Sequence, residues 1–322
     1  MTGVRAEQFA PIAVVSRNDV DESIHFGALV ALNADGSVAF SVGDPNITIF
    51  PRSATKPFQA LAMVRAGLSL PLEQLALVCS SHNGEAVHQK TALTILAGAG
   101  LSENDLVNTP GHPWHAPSAR EAIRLGQPKS SLPMDCSGKH AGMLATCALN
   151  GWDVNSYLDQ EHPLQRAITE VITELTGAAP VAIGTDGCGA PAHVVNLTGL
   201  ARAARAIAVG EAGDSGNQIF NAMSQYPYMV GGDTRDVTEI VSAIPGLFAK
   251  DGAESVYIAA MNDGRAVALK ISDGSRRAAP TVLLAALRQL GVDTSGVSTD
   301  IAEVVYGHGK PVGGVRAIGI GA

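Results

Sequence analysis

Phe50-Pro51-Arg52-Ser53-Ala54-Thr55-Lys56-Pro57-Phe58 is the point at which this 322-residue chain changes character. Ahead of it, Ile47-Thr48-Ile49-Phe50 is β-branched and aromatic and reads as the end of a strand. Beyond it, Phe58-Gln59-Ala60-Leu61-Ala62-Met63-Val64 carries helical periodicity. Strands gather on the N-terminal side: 25–32, a turn at Asn33-Ala34-Asp35-Gly36, a return over 37–42, and a turn at Gly43-Asp44-Pro45-Asn46 into 47–50. From about 53 to 225 the pattern is mostly helical, with helices expected over 55–66, 86–98, 118–125, 139–150, 163–175, 192–208 and 215–225. Strand character returns at 254–261. Asn262-Asp263-Gly264 signals a hairpin, which 265–271 completes. A helix over 280–290 and a last strand over 315–320 follow.

Strands at both ends and helices between them predict an α+β fold. One antiparallel sheet pairs N-terminal strands (about 12–52) with C-terminal ones (about 236–322), and the 280–290 helix covers a sheet face. Residues from about 53 to 235 form a helical lobe. No internal repeat and no long polar linker divides the chain, so 1–322 reads as a single domain.

Hydrophobic residues make up 46% of the chain and charged residues 16%, which suits a large buried core and excludes disorder. The net charge of −8, with no basic block, argues against nucleic acid and anionic membrane as partners. Segment 1–17 has an apolar run only over 9–15 and contains Glu7, so it does not read as a secretory signal. No run reaches the roughly 18 apolar residues of a membrane helix. Four cysteines without such a signal suggest a reducing cytoplasm, with free thiols or metal ligands.

Ser53 and Lys56, three apart, would share a helix face. Backbone N–H groups at a helix start are aimed at such a serine. A lysine held among apolar neighbours sheds its proton more easily and can then deprotonate the hydroxyl. The spacing alone is also what an N-cap serine and a solvated lysine produce. Cys79-Ser80-Ser81-His82-Asn83-Gly84-Glu85 offers Ser81 as a second hydroxyl for a proton relay, or else a polar helix cap. In Asp135-Cys136-Ser137-Gly138-Lys139-His140-Ala141-Gly142-Met143, Gly138 and Gly142 permit close backbone approach, and Cys136, Lys139 and His140 are candidate ligands or substrate contacts. Asp186, in Gly184-Thr185-Asp186-Gly187-Cys188-Gly189-Ala190-Pro191, could hold an ammonium group or simply stabilise its own turn. Cys136 and Cys188 could bind zinc, form a disulfide, or remain two thiols. Cys79 and Cys147 lie in apolar surroundings and read as core. Lys250, at a strand edge, could point into a site at the sheet margin. Met229-Val230-Gly231-Gly232 suggests a tight backbone approach.

Taken together, these stretches resemble the rhizobial-type L-asparaginases, also called asparaginase II or thermolabile asparaginases. The similarity runs in chain order through Glu22-Ser23-Ile24-His25, Arg52-Ser53-Ala54-Thr55-Lys56-Pro57, Ser81-His82 and Gly111-His112-Pro113. It continues through Cys136-Ser137-Gly138-Lys139-His140-Ala141-Gly142-Met143, Gly184-Thr185-Asp186-Gly187-Cys188, Met229-Val230 and Lys250. The resemblance implies a fold like that of serine β-lactamases and glutaminases. It implies hydrolysis of L-asparagine to L-aspartate and ammonia, with Ser53 as nucleophile, Lys56 as its base, and Ser81 with Lys250 as a second Ser–Lys pair. It also implies zinc on Cys136, Lys139 and Cys188, and a homodimer. Arg52 suits the substrate α-carboxylate and Asp186 the α-ammonium, with Lys139 and His140 lining the pocket. Ser81-His82-Asn83 is closer to a β-lactamase element than to the family, yet no Lys-Thr-Gly or Lys-Ser-Gly triplet is present. The alternatives are another Ser/Lys amidohydrolase such as a glutaminase, an N-terminal-nucleophile hydrolase cleaved at Gly184-Thr185, and a non-catalytic zinc or amino-acid sensor.

Overall fold

The computed structural model describes residues 3–321. Its strands are β1 (Ala10–Arg17), β2 (Val20–Leu32), β3 (Val38–Val42), β4 (Thr48–Ile49), β5 (Ala182–Thr185), β6 (Pro191–Asn196), β7 (Leu247–Gly252), β8 (Val256–Met261), β9 (Ala266–Ile271), β10 (Val304–Gly307) and β11 (Lys310–Ala317). The main sheet runs β10-β11-β1-β2-β9-β8-β7, with β3 added on β2. All its pairings are antiparallel. Ala13 faces Ala317 across β1 and β11, and Gly27 faces Ile271 across β2 and β9, so the two ends of the chain meet in the sheet. A small second sheet, β4-β6-β5, sits beside the start of the helical region.

The helices are α1 (Lys56–Arg65), α2 (Leu72–Val78), α3 (Ala86–Gly98), α4 (Ala116–Arg124), α5 (Ser137–Asn150), α6 (Pro163–Thr176), α7 (Leu197–Ala208), α8 (Gly213–Gln225), α9 (Pro227–Val230), α10 (Asp236–Ala243) and α11 (Ala279–Gln289). Strands β7, β8 and β9 are buried at every position rather than at alternate ones. That pattern needs cover on both sheet faces. α7 packs on β2, β8 and β9, while α11 packs on β8, β9 and β11. In the helical region α1 and α5 are buried along most of their length, with α6 and α8 packed on α1 and with α2 and α3 packed on α5. One hydrophobic cluster joins the sheet to these helices, from Ile12 through Leu61 and Met143 to Val315. No helix among the described residues is long and apolar enough to cross a membrane.

The α+β arrangement of end strands around a helical middle is as expected, but several elements differ. Residues 192–208 are not one helix. The β-branched Val194 pairs with β5 and Val195 with β4, and Asn196 caps α7 by accepting from Gly199 N–H. Residues 236–243, assigned to the sheet region, form α10. Leu247–Gly252, read as leading into a strand, is itself the edge strand β7. β1 and β10 were not recognised as strands, nor Leu72–Val78 as a helix. The last strand lies at Lys310–Ala317, a few residues earlier than expected.

Candidate active site

After β4 the chain makes a single 3-10 turn, Arg52–Thr55, and α1 then begins at Lys56 with Pro57 in its first turn. Ser53 therefore sits just before the helix rather than inside it, and its carbonyl accepts from Lys56 N–H. Thr55 Oγ1 ties the turn down by donating to Arg52 O at 2.9 Å and accepting from Gln59 at 3.1 Å. Arg52 adopts φ +54°, a left-handed conformation that is strained for a residue bearing Cβ. The turn lies against the end of β7. A Cβ on Gly252 would stand 2.4 Å from Pro51 O and 3.1 Å from Ala54 N, so glycine lets the sheet edge approach the serine-bearing turn.

Lys56 is almost wholly buried. Its Nζ lies 2.6 Å from Ser80 O, 3.0 Å from Ser81 Oγ and 3.1 Å from Cys136 Sγ. The lysine one turn from Ser53 thus reaches the second serine. Among the described residues Ser53 Oγ makes no hydrogen bond, which leaves it open to a substrate. Ser81 is held by backbone pairing with Met229-Val230-Gly231-Gly232: its N–H donates to Val230 O at 3.2 Å, and Asn83 N–H donates to Gly231 O at 2.8 Å. His82 pins the same loop to α5. Its Nδ1 accepts from Gly84 N–H at 2.9 Å, and its Nε2 lies 3.0 Å from Ser137 Oγ. Burial, reinforced by the nearby His88 and Lys56, keeps His82 neutral.

Lys250, fully buried on β7, makes no hydrogen bond to Ser81. Its Nζ lies 2.6 Å from Asp251 Oδ1 and 2.7 Å from Asp251 O. Burial lowers its pKa to about 8. Lys56 and Arg235 push the same way, and Asp251 opposes them. Asp251 is also held by Arg235 at 2.6 Å and Arg276 at 2.8 Å. Neither Arg235 nor Asp251 was singled out from the sequence. Asp251 adjoins Lys250, but nothing local marks Arg235.

On the other side of the turn, Arg52 Nε and Nη2 lie 2.8 Å and 2.7 Å from Asp186 Oδ1. The two residues expected to grip the ends of an amino acid are thus paired with each other, partly exposed. A cleft of about 640 Å³ runs up to Arg52 and Thr185 along Phe50 and Lys270, but is not lined by Ser53, Lys56 or Ser81.

Cys136 and Cys188 are buried together with Ala190. All four cysteines are free, and Cys79 and Cys147 lie in the main core as expected. A hydrogen bond from Cys136 and the neighbouring Lys139 and His140 hold Cys188 as a thiolate, while Cys136 stays protonated. Burial works against the Lys139 ammonium, but Cys188, then Cys136 and Asp186, outweigh it. The Nζ lies 3.0 Å from Cys188 Sγ. His140, lowered to about 4 by burial and by Lys139, meets Tyr157 OH at 2.7 Å through Nδ1. Its Nε2 is a buried nitrogen without a hydrogen-bond partner. Two sulfurs and the Lys139 amine are donors that suit zinc. Among the described residues no three His, Cys, Asp or Glu side chains group as metal ligands, so such a site depends on the lysine.

The sequence model of the L-asparaginase II family matches residues 13–317, nearly the whole chain. No curated protein matches it. Among solved structures, the chain is similar to Mglu in its native form (14% identity, TM-score 0.43, covering 81% of this chain and 60% of that one). It is also similar to a Bacillus glutaminase (13%, 0.42, 77% and 83%) and to the β-lactamase Mb2281c from Mycobacterium bovis (14%, 0.39, 82% and 94%). The chain thus spans less than two thirds of the length of Mglu.

Proposed function

The chain belongs to the L-asparaginase II family, a family of amidohydrolases, and from that premise we propose that it hydrolyses L-asparagine to L-aspartate and ammonia through an ester on Ser53. The observation that carries this reading is the buried Lys56 Nζ, one turn from an unpaired Ser53 and 3.0 Å from Ser81 Oγ. An amide is a poor electrophile with a poor leaving group, so it needs an activated nucleophile and a proton for the departing nitrogen. In this proposal Lys56, as the free amine, takes the Ser53 proton as Oγ attacks the side-chain amide carbon. Backbone N–H groups near Ser53 stabilise the oxyanion. The proton passes through Ser81 Oγ to the leaving ammonia, and Lys250 tunes that transfer. Water then cleaves the ester, with Lys56 again as base.

The Arg52–Asp186 ion pair supports an α-amino acid substrate. A zwitterion carries the complementary pair of charges, its carboxylate matching the guanidinium fork and its ammonium matching Asp186. In this reading Lys139 and His140 line the same pocket. Zinc, when bound, would be held by Cys136, Cys188 and Lys139 and would supply a Lewis acid beside the pocket. It would have to displace a proton from Lys139 and one from Cys136, so its binding weakens as pH falls.

Ammonia release from L-asparagine and L-glutamine by the wild type and Ser53→Ala, each with and without a chelator, tests the reading. The expected result is asparagine-selective release, lost in Ser53→Ala. Preference for glutamine would replace the substrate. Bound asparagine without any release would indicate a sensor.

A further inference from the structure

No hydrogen bond links Lys250 to Ser81, yet one buried chain of groups joins them. Lys250 Nζ lies 2.6 Å from Asp251 Oδ1, Arg235 Nη2 lies 2.6 Å from Asp251 Oδ2, and Arg235 Nη1 donates to Ser81 O at 3.0 Å. We infer that Arg235 and Asp251 are positioning residues for the second Ser–Lys pair, with Asp251 fixing the Lys250 amine and the Arg235 guanidinium clamping Asp251 to the Ser81 backbone. The planar fork of arginine is what allows one side chain to hold a carboxylate and a carbonyl at once. Both residues are over nine-tenths buried, so water does not compete for these bonds.

The cluster is also roofed. Trp114, on the loop whose His115 N–H donates to Asn83 O, lies 5.0 Å under Arg235 and 5.2 Å under Arg276. Both guanidiniums that balance Asp251 therefore stack on one ring. Ion pairs of this kind also occur as plain structural pins, and the two roles differ in what they do to Lys250. The charged groups facing that amine are Asp251 on its own strand, Lys56 on α1 and Arg235 ahead of α10, with the thiol of Cys79, held protonated by burial, at the end of α2. Asp251 favours its charged form, whereas Lys56 and Arg235 oppose it. Removing Asp251 and removing the Arg235 charge must therefore move the Lys250 titration in opposite directions.

The test uses the full-length protein with ε-carbon-labelled lysine. The Lys250 signal is assigned by its loss in Lys250→Met and titrated by NMR in wild type, Asp251→Asn, Arg235→Met and Arg235→Lys, with kcat and KM measured alongside. The expected midpoint falls by about one pH unit or more in Asp251→Asn and rises in Arg235→Met. In Arg235→Lys it stays near the wild-type value, because the charge is kept. Both Arg235 variants lose about tenfold or more in kcat with KM within about threefold, because neither can bridge Asp251 to Ser81. Should Asp251→Asn fail to fold, the two Arg235 variants carry the same contrast. Midpoints that do not move, or that move the same way in Asp251→Asn and Arg235→Met, overturn the inference, as does wild-type kcat in Arg235→Met. The kinetic arm rests on the amidohydrolase reading. If the wild type releases no ammonia, that reading fails, while the NMR midpoints still decide the positioning role.

Discussion

A buried lysine amine with three partners within 3.1 Å has little freedom to wander. That rigidity is what a base shared between two hydroxyls requires. Lys250 adds a second amine whose titration lies near pH 8, below the ordinary lysine range. A lysine accepts a proton only as the free amine, and Lys250 becomes neutral as pH rises through that value. The ratio kcat/KM should therefore climb from about pH 6 to about pH 9. A rate that is flat or falls over that range would count against a neutral Lys250 tuning the Ser81 transfer. At this scale the sequence was informative where partners are close in the chain or carried by the family resemblance. Ser53 and Lys56 are three apart, and Arg52 and Asp186, both read as candidates, lie in one ion pair. Arg235 was silent. It reaches Ser81 across 154 positions, and no local pattern encodes such a contact. Ser81 was offered as a second hydroxyl between two lysines, but that its hydrogen bond is to Lys56 depends on how the 79–85 loop lies on residues 230–231.

Among the elements, α2 and α5 pack closely through two glycines. A Cβ on Gly138 would stand 2.5 Å from Leu77 O, and one on Gly142 would stand 2.7 Å from Val78 Cγ1. Alanine is the better helix former, yet here the clash outweighs propensity. Gly138→Ala should destabilise the protein by about 1–3 kcal/mol in urea denaturation. It should cost more than Gly142→Ala, because a backbone carbonyl yields less readily than a valine methyl. A neutral or stabilising Gly138→Ala would show that the two helices do not pack as described. The glycine spacing announced a close approach, although not the identity of the neighbour, since α2 is short and its apolar run resembles a strand. The opposite failure occurred at 192–208. There Pro191–Asn196 pairs with β5 and only then gives way to α7, and the strand is too short to interrupt the helical reading.

For the whole molecule, the consequence is that neither half stands alone. β1 and β2 come from the start of the chain and β7, β8, β9 and β11 from its end, while α7 from the middle closes over β2, β8 and β9. The site is split the same way: Lys56, Ser81 and the cysteines belong to the helical region, and Lys250 and Asp251 to the sheet. Loss of ammonia release and loss of far-UV circular dichroism should therefore coincide in a single urea transition. Two separated transitions would contradict a shared core. This architecture was the most legible feature of the sequence, because strands at the ends and helices between leave few antiparallel solutions. The edge strands β7 and β10 were harder, being short and set in turn-rich stretches.

The most direct test of the central claim is rapid-quench mass spectrometry of the enzyme mixed with L-asparagine, followed by peptide mapping. The account predicts one transient β-aspartyl group on the peptide that contains Ser53, absent in Ser53→Ala and longer-lived when Lys56 is replaced by methionine. An adduct on Ser81 or Thr185, or steady turnover with no adduct on any residue, would contradict it.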